Sequence, residues 1–419
     1  MDTVGVVGLG YVGLPLAVAF AREGLDVIAV DVDPRKIEAI DAGHSYIEDV
    51  PSEQLRELAT RLHASTRYAR LARAQAVLVC VPTPLTANRE PDLGPLIDST
   101  RALADVLQAG QLVVLESTTY PGTTRERVLP LLEASGLVGG SDFNLAFSPE
   151  RVDPGRTDYT LRNTPKVIGG LTETCLARAS ELYGRICDHL VPVSTPEAAE
   201  LCKLLENIFR SVNIALVNEL SMLTDRMGID LWEVIDAAST KPYGFMRFEP
   251  GPGMGGHCLP VDPFYLSWRA REFDMSTEFI ELAGKVNQEM PRHCVAKIAR
   301  ALNQAGLAVK DARVGLLGVS YKPGVGDIRE SPALKIVSLL QAQGANVGYH
   351  DPHVPALEQF ALQSEPLSEL LAESDVVVVV TAHPQVDHAA VAAQARVLVD
   401  LRGVTRGVGR SAAALTAAP

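Results

Sequence analysis

Residues 4–34 read VGVVGLGYVGLPLAVAFAREGLDVIAVDVDP. The apolar run Val4–Gly8 predicts a strand. A helix follows from Leu14 to Glu23, stopped by Gly24, and Val27–Asp31 predicts a second strand that ends in acid. Between strand and helix stands Gly8-x-Gly10-x-x-Gly13, a spacing that carries meaning only in such a setting. Gly8 permits the tight turn, Gly10 lets a pyrophosphate approach the backbone, and Gly13 lets the helix pack close to the strand. The helix N-terminus, with Tyr11 and Val12 on the turn, offers N–H groups and partial positive charge to phosphates. Asp31 lies eighteen residues beyond Gly13, where a carboxylate accepts from ribose hydroxyls and repels a 2′-phosphate. The expectation is a dinucleotide site for NAD rather than NADP. Arg35 belongs with the cofactor-binding set, although it and Lys36 are cations that could also meet a 2′-phosphate. The plain alternative is a tight turn with no ligand.

Working outward, Ala76–Val81 and Gln111–Glu116 predict further strands. Strands apolar on both faces, alternating with helical segments, indicate a parallel doubly wound sheet. Thr83 and Thr118 follow strand ends on the edge where such sheets bind ligands. They are candidate cofactor neighbours, or else hydroxyls that cap loops. From Phe143 to Gly170 the chain reads as loop-rich, with Pro149, Pro154, Gly155 and Pro165. Pro196–Met227 predicts one helix of about 45 Å, with Thr195 as N-cap and Gly228 as the stop. It suits a domain connector, a dimer spine or a plain core helix. After the Gly/Pro-dense loop Gly251–Pro260 and more helix, strands return at Arg313–Gly318, Asn346–Asp351, Val376–Thr381 and Val397–Leu401, with a helix at Pro332–Gln343. The fold expected is α/β: two Rossmann-like doubly wound parallel sheets joined by a central long helix and helical domain. The boundaries expected are 1–195, 196–300 and 301–419.

The 419 residues carry a net charge of −13, with 47% hydrophobic and 21% charged residues. That is the composition of a globular enzyme, and the acidic surface disfavours nucleic acid and anionic lipid. No apolar run is long enough for a membrane span, and no signal-peptide pattern precedes the first strand. Six cysteines, without C-x-x-C or zinc spacing, read as free thiols in a reducing cytoplasm, and no metal is expected.

The stretch Gly251-Pro-Gly-Met-Gly-Gly-His-Cys-Leu-Pro-Val-Asp262 is the most unusual in the chain. Its glycines let backbone pack around a ligand and point N–H groups at it. Cys258 in that loop differs in setting from Cys80, which reads as a core residue. Lys203 and Asn207 are four apart and share a helix face; such a pair is either a solvated stripe or a feature of the cleft.

Gly8–Gly13, Phe147-Ser148-Pro149-Glu150-Arg151, Lys203-x-x-x-Asn207, Gly255-Gly256-His257-Cys258-Leu259-Pro260-x-Asp262 and Tyr321-Lys322…Asp327-x-Arg329-Glu330-Ser331-Pro332 occur in order along nearly the whole chain. Together they resemble the UDP-sugar dehydrogenase family. The resemblance implies an N-terminal NAD sheet, a central helix as the core of a homodimer or higher oligomer, and a C-terminal sheet for the UDP-sugar. It implies that Cys258 is the nucleophile and that Lys203 and Asn207 stabilise oxyanions. Asp262 orders the catalytic water or aids base chemistry, Glu150 serves thioester hydrolysis, and Thr118 holds water. Arg329 reaches the cofactor. Lys322, Gly255, Arg247 and Arg151, with Glu150, Lys203 and Asn207, contact the substrate. The implied reaction is a four-electron oxidation of a C6 alcohol to the acid through a Cys258 thiohemiacetal and thioester, using two NAD. Phe147–Gly155 and Lys241–Met246 resemble the branch acting on UDP-N-acetylglucosamine; UDP-glucose and UDP-N-acetylmannosamine stay open. Two rivals are a two-electron hydroxyacid-type dehydrogenase and a non-catalytic dinucleotide-binding regulator.

Overall fold

The computed structural model describes residues 1–86, 90–153, 158–256, 259–407 and the backbone of 415–416. The chain divides into two compact units, Met1–Glu206 with Phe264–Ser276, and Asn207–Pro263 with Thr277–Pro419.

The first unit is built on strands β1 (Thr3–Val7), β2 (Asp26–Val30), β3 (Leu62–Ser65), β4 (Ala76–Val79), β5 (Leu112–Leu115), β6 (Asn144–Phe147), β7 (Lys166–Gly170) and β8 (Leu190–Val193). Their order is β3-β2-β1-β4-β5-β6-β7-β8, so the first six follow the order of a dinucleotide-binding sheet. All neighbours run parallel except β6 with β7. Side-chain alternation divides the strands between two cores. Val4, Val6, Leu78, Val114 and Ile168 pack with Leu14, Phe20 and Leu182 on one face. Val30, Val77, Val113, Leu145 and Phe147 pack with Leu96, Leu103 and Leu132 on the other. Burying each such side chain contributes roughly 1.5–3 kcal/mol before entropy is counted, which explains why short four-residue strands persist.

The stretch 143–170, expected to be loop-rich, carries a strand at each end that the sequence reading did not mark, β6 and β7. Pro149 and Pro165 flank these strands instead of lying in them, where a missing N–H would break the ladder. The helix at the first turn spans Gly13–Arg22, and Gly24 beyond it has φ +87°.

The helix Pro196–Met227 forms over the span expected. Thr195 Oγ1 accepts the N–H of Ala198 at 3.1 Å, and Gly228 ends the helix at φ +69°. The helix belongs to the first unit through Glu206 and to the second from Asn207.

In the second unit the strands are β9 (Arg313–Leu317), β10 (Asn346–His350), β11 (Ala356–Leu357), β12 (Leu362–Gln363), β13 (Val376–Val379), β14 (Val397–Asp400) and β15 (Leu415–Thr416). The main sheet runs β10-β9-β13-β14-β15 and is wholly parallel, while β11 and β12 form a small antiparallel pair. This is the second common doubly wound order, with its switch point between β9 and β13. Val314, Leu316, Val378 and Val399 pack on Ile298, Ile336 and Leu340; Leu317, Val377 and Val379 pack on Leu370 and Val391. No described helix is long and apolar enough to cross a membrane.

Candidate active site

At the end of β1 the chain turns at Gly8, with φ +88°, where a Cβ would stand 2.7 Å from the carbonyl oxygen of Cys80. A Cβ at Gly13 would overlap the carbonyl oxygen of Gly8, whereas the space beside Gly10 is open. Tyr11 is exposed on the turn, and no side chain caps the following helix at Val12; the Leu14 N–H turns back to the Gly10 carbonyl oxygen at 3.1 Å. Asp31 follows β2 and is buried. One oxygen accepts the Leu9 N–H at 2.7 Å and the other the Asp33 N–H at 2.9 Å. Lys36 pairs with Asp31 at 2.8 Å, while Arg35 pairs with Asp33. The glycine turn after β1 and the carboxylate after β2 are thus tied together through the Leu9 N–H. Arg35 is spent locally on Asp33, which that cation holds down to about 2. Thr83 donates to the carbonyl oxygen of Thr118 at 2.7 Å, so the two strand-end loops are joined. Glu200, on the long helix, clamps the following turn by accepting the N–H groups of Gly122 and Thr124 and the Thr124 hydroxyl.

Beyond β6, the carboxylate of Glu150 accepts the N–H groups of Arg151 and Val152, each at 2.7 Å. Its other oxygen lies 3.3 Å from the ammonium of Lys166, the first residue of β7. Burial acts to raise Glu150, but Lys166, the two N–H donors and Lys203 outweigh it, so the carboxyl sits below its ordinary value. Arg151 pairs with Glu206 at 2.6 Å and donates to the Pro165 carbonyl oxygen.

In the second unit, Asn207 and Asp262 are both buried, and Asn207 Nδ2 donates to Asp262 Oδ2 at 2.5 Å. Asp262 opens the helix Asp262–Ala270, where its charge favours the N-terminus. The glycine-rich loop is pinned from two sides. Buried Asn218 accepts the Gly251 N–H at 2.9 Å and donates to Asn287 Oδ1 at 2.9 Å. Asn287 donates to the Ser211 carbonyl oxygen and to Met254 Sδ. On the other side the Gly256 N–H donates to the Arg329 carbonyl oxygen at 2.9 Å. Gly256 has φ +84°, and a Cβ at Gly255 would stand 2.7 Å from Tyr321 Cβ. His257 and Cys258, the next two residues, lie outside the described residues. The other five cysteines are free thiols. Cys80 is buried, and burial pushes its thiol well up, as befits the core residue expected.

At the switch point of the second sheet, Asp351 repeats the device of Asp31. It accepts the N–H groups of Val319 at 2.7 Å and Ser320 at 3.1 Å, and meets buried His383 at 3.1 Å. The Gly324 N–H donates to His383 Nδ1, so the proton of a neutral ring sits on Nε2, toward Asp351. Lys322 lies on this loop with its ammonium 5.6 Å from the Tyr321 ring centre. Arg329 pairs with Asp327, and Arg247 with Asp236 and Glu249.

Within the first unit the structure thus gathers the dinucleotide turn, Thr83 with Thr118, and Glu150 with Lys203 acting on its charge. Within the second it gathers Asn207 with Asp262 and, separately, the glycine loop with the strap that carries Lys322 and Arg329. Sequence reasoning missed Glu116, Lys166 and Tyr183 behind Glu150. Their only signal was a lone charge beside otherwise apolar strands, at Glu116 after Leu115 and at Lys166 before Val167.

Three family models of the UDP-glucose/GDP-mannose dehydrogenase family match the chain: the NAD binding domain at residues 2–187, the central domain at 197–289 and the UDP binding domain at 315–407. The UDP-N-acetyl-D-mannosamine dehydrogenase of Pyrococcus horikoshii is 36% identical over 385 residues, covering 91% of this chain and 90% of that protein. The UDP-N-acetyl-D-glucosamine 6-dehydrogenase of Pseudomonas aeruginosa is 37% identical over 355 residues, covering 84% and 83%. The solved structure of a UDP-glucose dehydrogenase from Pyrobaculum islandicum superimposes with a TM-score of 0.89 at 29% identity, covering 100% of this chain and 98% of that one.

Proposed function

The chain belongs to the UDP-glucose/GDP-mannose dehydrogenase family, and from that premise we propose that this NAD-dependent UDP-sugar dehydrogenase oxidises the C6 alcohol of UDP-N-acetylglucosamine to the carboxylate, with Cys258 as covalent nucleophile. The single observation that carries the site reading is the buried Asn207–Asp262 pair, four residues of chain beyond Cys258. The pair lies next in sequence to a pinned glycine loop, and enclosure strengthens its hydrogen bond to the carboxylate.

Gly8, Gly10, Tyr11, Val12, Gly13, Asp31, Thr83 and Thr118, with Arg329, would hold NAD, which would supply the electron acceptor for both oxidations. Lys203 and Asn207 stabilise negative charge on the C6 oxygen. The Cys258 thiolate adds to the aldehyde carbon, so the aldehyde does not escape and the adduct can be oxidised to a thioester. Glu150, held as a carboxylate, takes a proton from the water that attacks that thioester. Asp262 orders the reacting groups through Asn207. Lys322, Arg247, Arg151 and Gly255 hold the UDP-sugar. Residues 1–195 bind the dinucleotide, 196–300 carry dimerisation and the Cys loop, and 301–419 bind the UDP-sugar.

The homodimer forms through the long helix. Phe209, Leu216, Leu220, Leu223 and Met227 are exposed along it, at the spacing of one helical face. With its free thiols the enzyme works in the cytoplasm.

UDP-N-acetylmannosamine is the second reading, favoured by the 36% identical relative named for that sugar. Incubation with NAD and a panel of UDP- and GDP-sugars tests both. The expected result is two NADH per molecule of uronic acid from UDP-N-acetylglucosamine. One NADH per substrate, or turnover of another sugar alone, overturns the reading.

A further inference from the structure

The amine of Lys166 is placed between two carboxylates, 2.8 Å from Glu116 Oε2 and 3.3 Å from Glu150 Oε2. The side chains of Lys166 and Glu116 are 2% and 0% exposed, whereas Glu150 keeps 15%. Only Glu150 therefore meets the surroundings, and the other two stand behind it. The second oxygen of Glu116 accepts the hydroxyl of Tyr183, itself buried. A buried ammonium is costly unless paired, and removal of one partner is felt by all. Here one cation is divided between two carboxylates, and the outward one is the group assigned to water activation.

We infer that Lys166 is a positioning residue for the hydrolytic half of the reaction: it fixes Glu150 in place and in its base form, while Glu116, held by Tyr183, sets how much of the Lys166 charge Glu150 receives. This rests on the reading of Glu150 as the group that activates water. In that step a water O–H bond breaks and its proton passes to Glu150. The water oxygen bonds the thioester carbon, the C–S bond breaks, and sulfur leaves as the Cys258 thiolate.

The groups acting on Glu150 are Lys166 and Lys203, which favour its anion, and the N–H groups of Arg151 and Val152, which do the same. Glu116 is the opposing charge of the cluster. Burial pushes Glu116 up to about 7, against the pull of Lys166, so near neutral pH it changes how the ammonium is shared. The thiols of Cys80 and Cys187 lie beside the cluster, and burial pushes both up, so they stay neutral. The Arg162 charge acts on Cys187.

The two substitutions therefore have opposite signs. Lys166→Met deprives Glu150 of its cation, and Glu116→Gln leaves Glu150 the whole of it. The test uses full-length enzyme with NAD and UDP-sugar, quenched at intervals across a pH series. Intact mass reports the covalent adduct, and its decay gives the hydrolysis rate. Lys166→Met is expected to move the acid limb of hydrolysis upward by about one pH unit or more and to let the adduct accumulate. Glu116→Gln is expected to move it downward, and Lys166→Arg to restore the limb partly. A loss of folding alone would not shift the limb in opposite directions. Should Lys166→Met fail to fold, the downward shift in Glu116→Gln decides. An unmoved limb in these variants, while Glu150→Gln slows adduct decay, overturns the role of Lys166 alone. Undiminished decay in Glu150→Gln overturns the Glu150 reading and this inference with it.

Discussion

Asn207 Nδ2 and Asp262 Oδ2 are 2.5 Å apart, and both residues are buried. One sits mid-helix in Pro196–Met227, the other opens the helix Asp262–Ala270. The contact joins residues 55 positions apart and gives the face shared by Lys203 and Asn207 a reason beyond solvation.

Asn207→Ala removes a donor to a buried carboxylate. It is expected to destabilise the fold by about 1–3 kcal/mol. It should lower kcat by roughly 100-fold or more, as loss of one preorganised donor does. Denaturant unfolding and NADH formation measure the two effects. A stable variant with full kcat would show that the pair serves neither.

Asp31 both ties the Leu9 N–H and stands where a ribose is expected. Asp31→Ala should raise the Kd for NAD by about 10-fold or more, the scale of one or two lost charged hydrogen bonds. It should also narrow the preference over NADP. Titration of each dinucleotide in the absence of sugar measures this, and an unchanged NAD to NADP ratio would count against the role.

Gly255 has no room for a side chain, because a Cβ there would press on Tyr321 Cβ and stand 2.9 Å from the Glu330 carbonyl oxygen. Gly255→Ala must displace the backbone that leads to Cys258. Acid formation should fall by an order of magnitude or more, while NAD binding in the first unit is retained. Parallel loss of NAD binding would point to general misfolding.

Leu216 and Leu223 are exposed apolar residues on one helix face. Leu216→Asp with Leu223→Asp should halve the molecular mass observed by sedimentation equilibrium. An unchanged mass would place the subunit interface elsewhere.

Much of this was legible because it is local. Gly8, Gly10, Gly13 and Asp31 lie within one strand-helix-strand unit, and period and spacing declare them. The same local plan repeats at Gly318 and Asp351, where the acid again ties the turn after the first strand. Thr195 and Gly228 bracket the long helix as cap and stop residues should. The failures are non-local or concern flanks. β6 and β7 are not marked in the sequence because Pro149 and Pro165 stand beside them, and proline density hides strands of four or five residues. The partnership of Glu116, Glu150 and Lys166 spans 50 residues, so no window reveals it. Asp262 likewise showed its type and not its partner.

The proposed reaction requires the Cys258 thiol to hold the sugar between its two oxidations. Cys258→Ala, given UDP-N-acetylglucosamine and excess NAD, should form no uronic acid and no covalent adduct. Unaltered enzyme should give two NADH per acid and, in Glu150→Gln, an adduct at Cys258 visible by intact mass. Uronic acid released by Cys258→Ala at the unaltered rate would contradict the account outright.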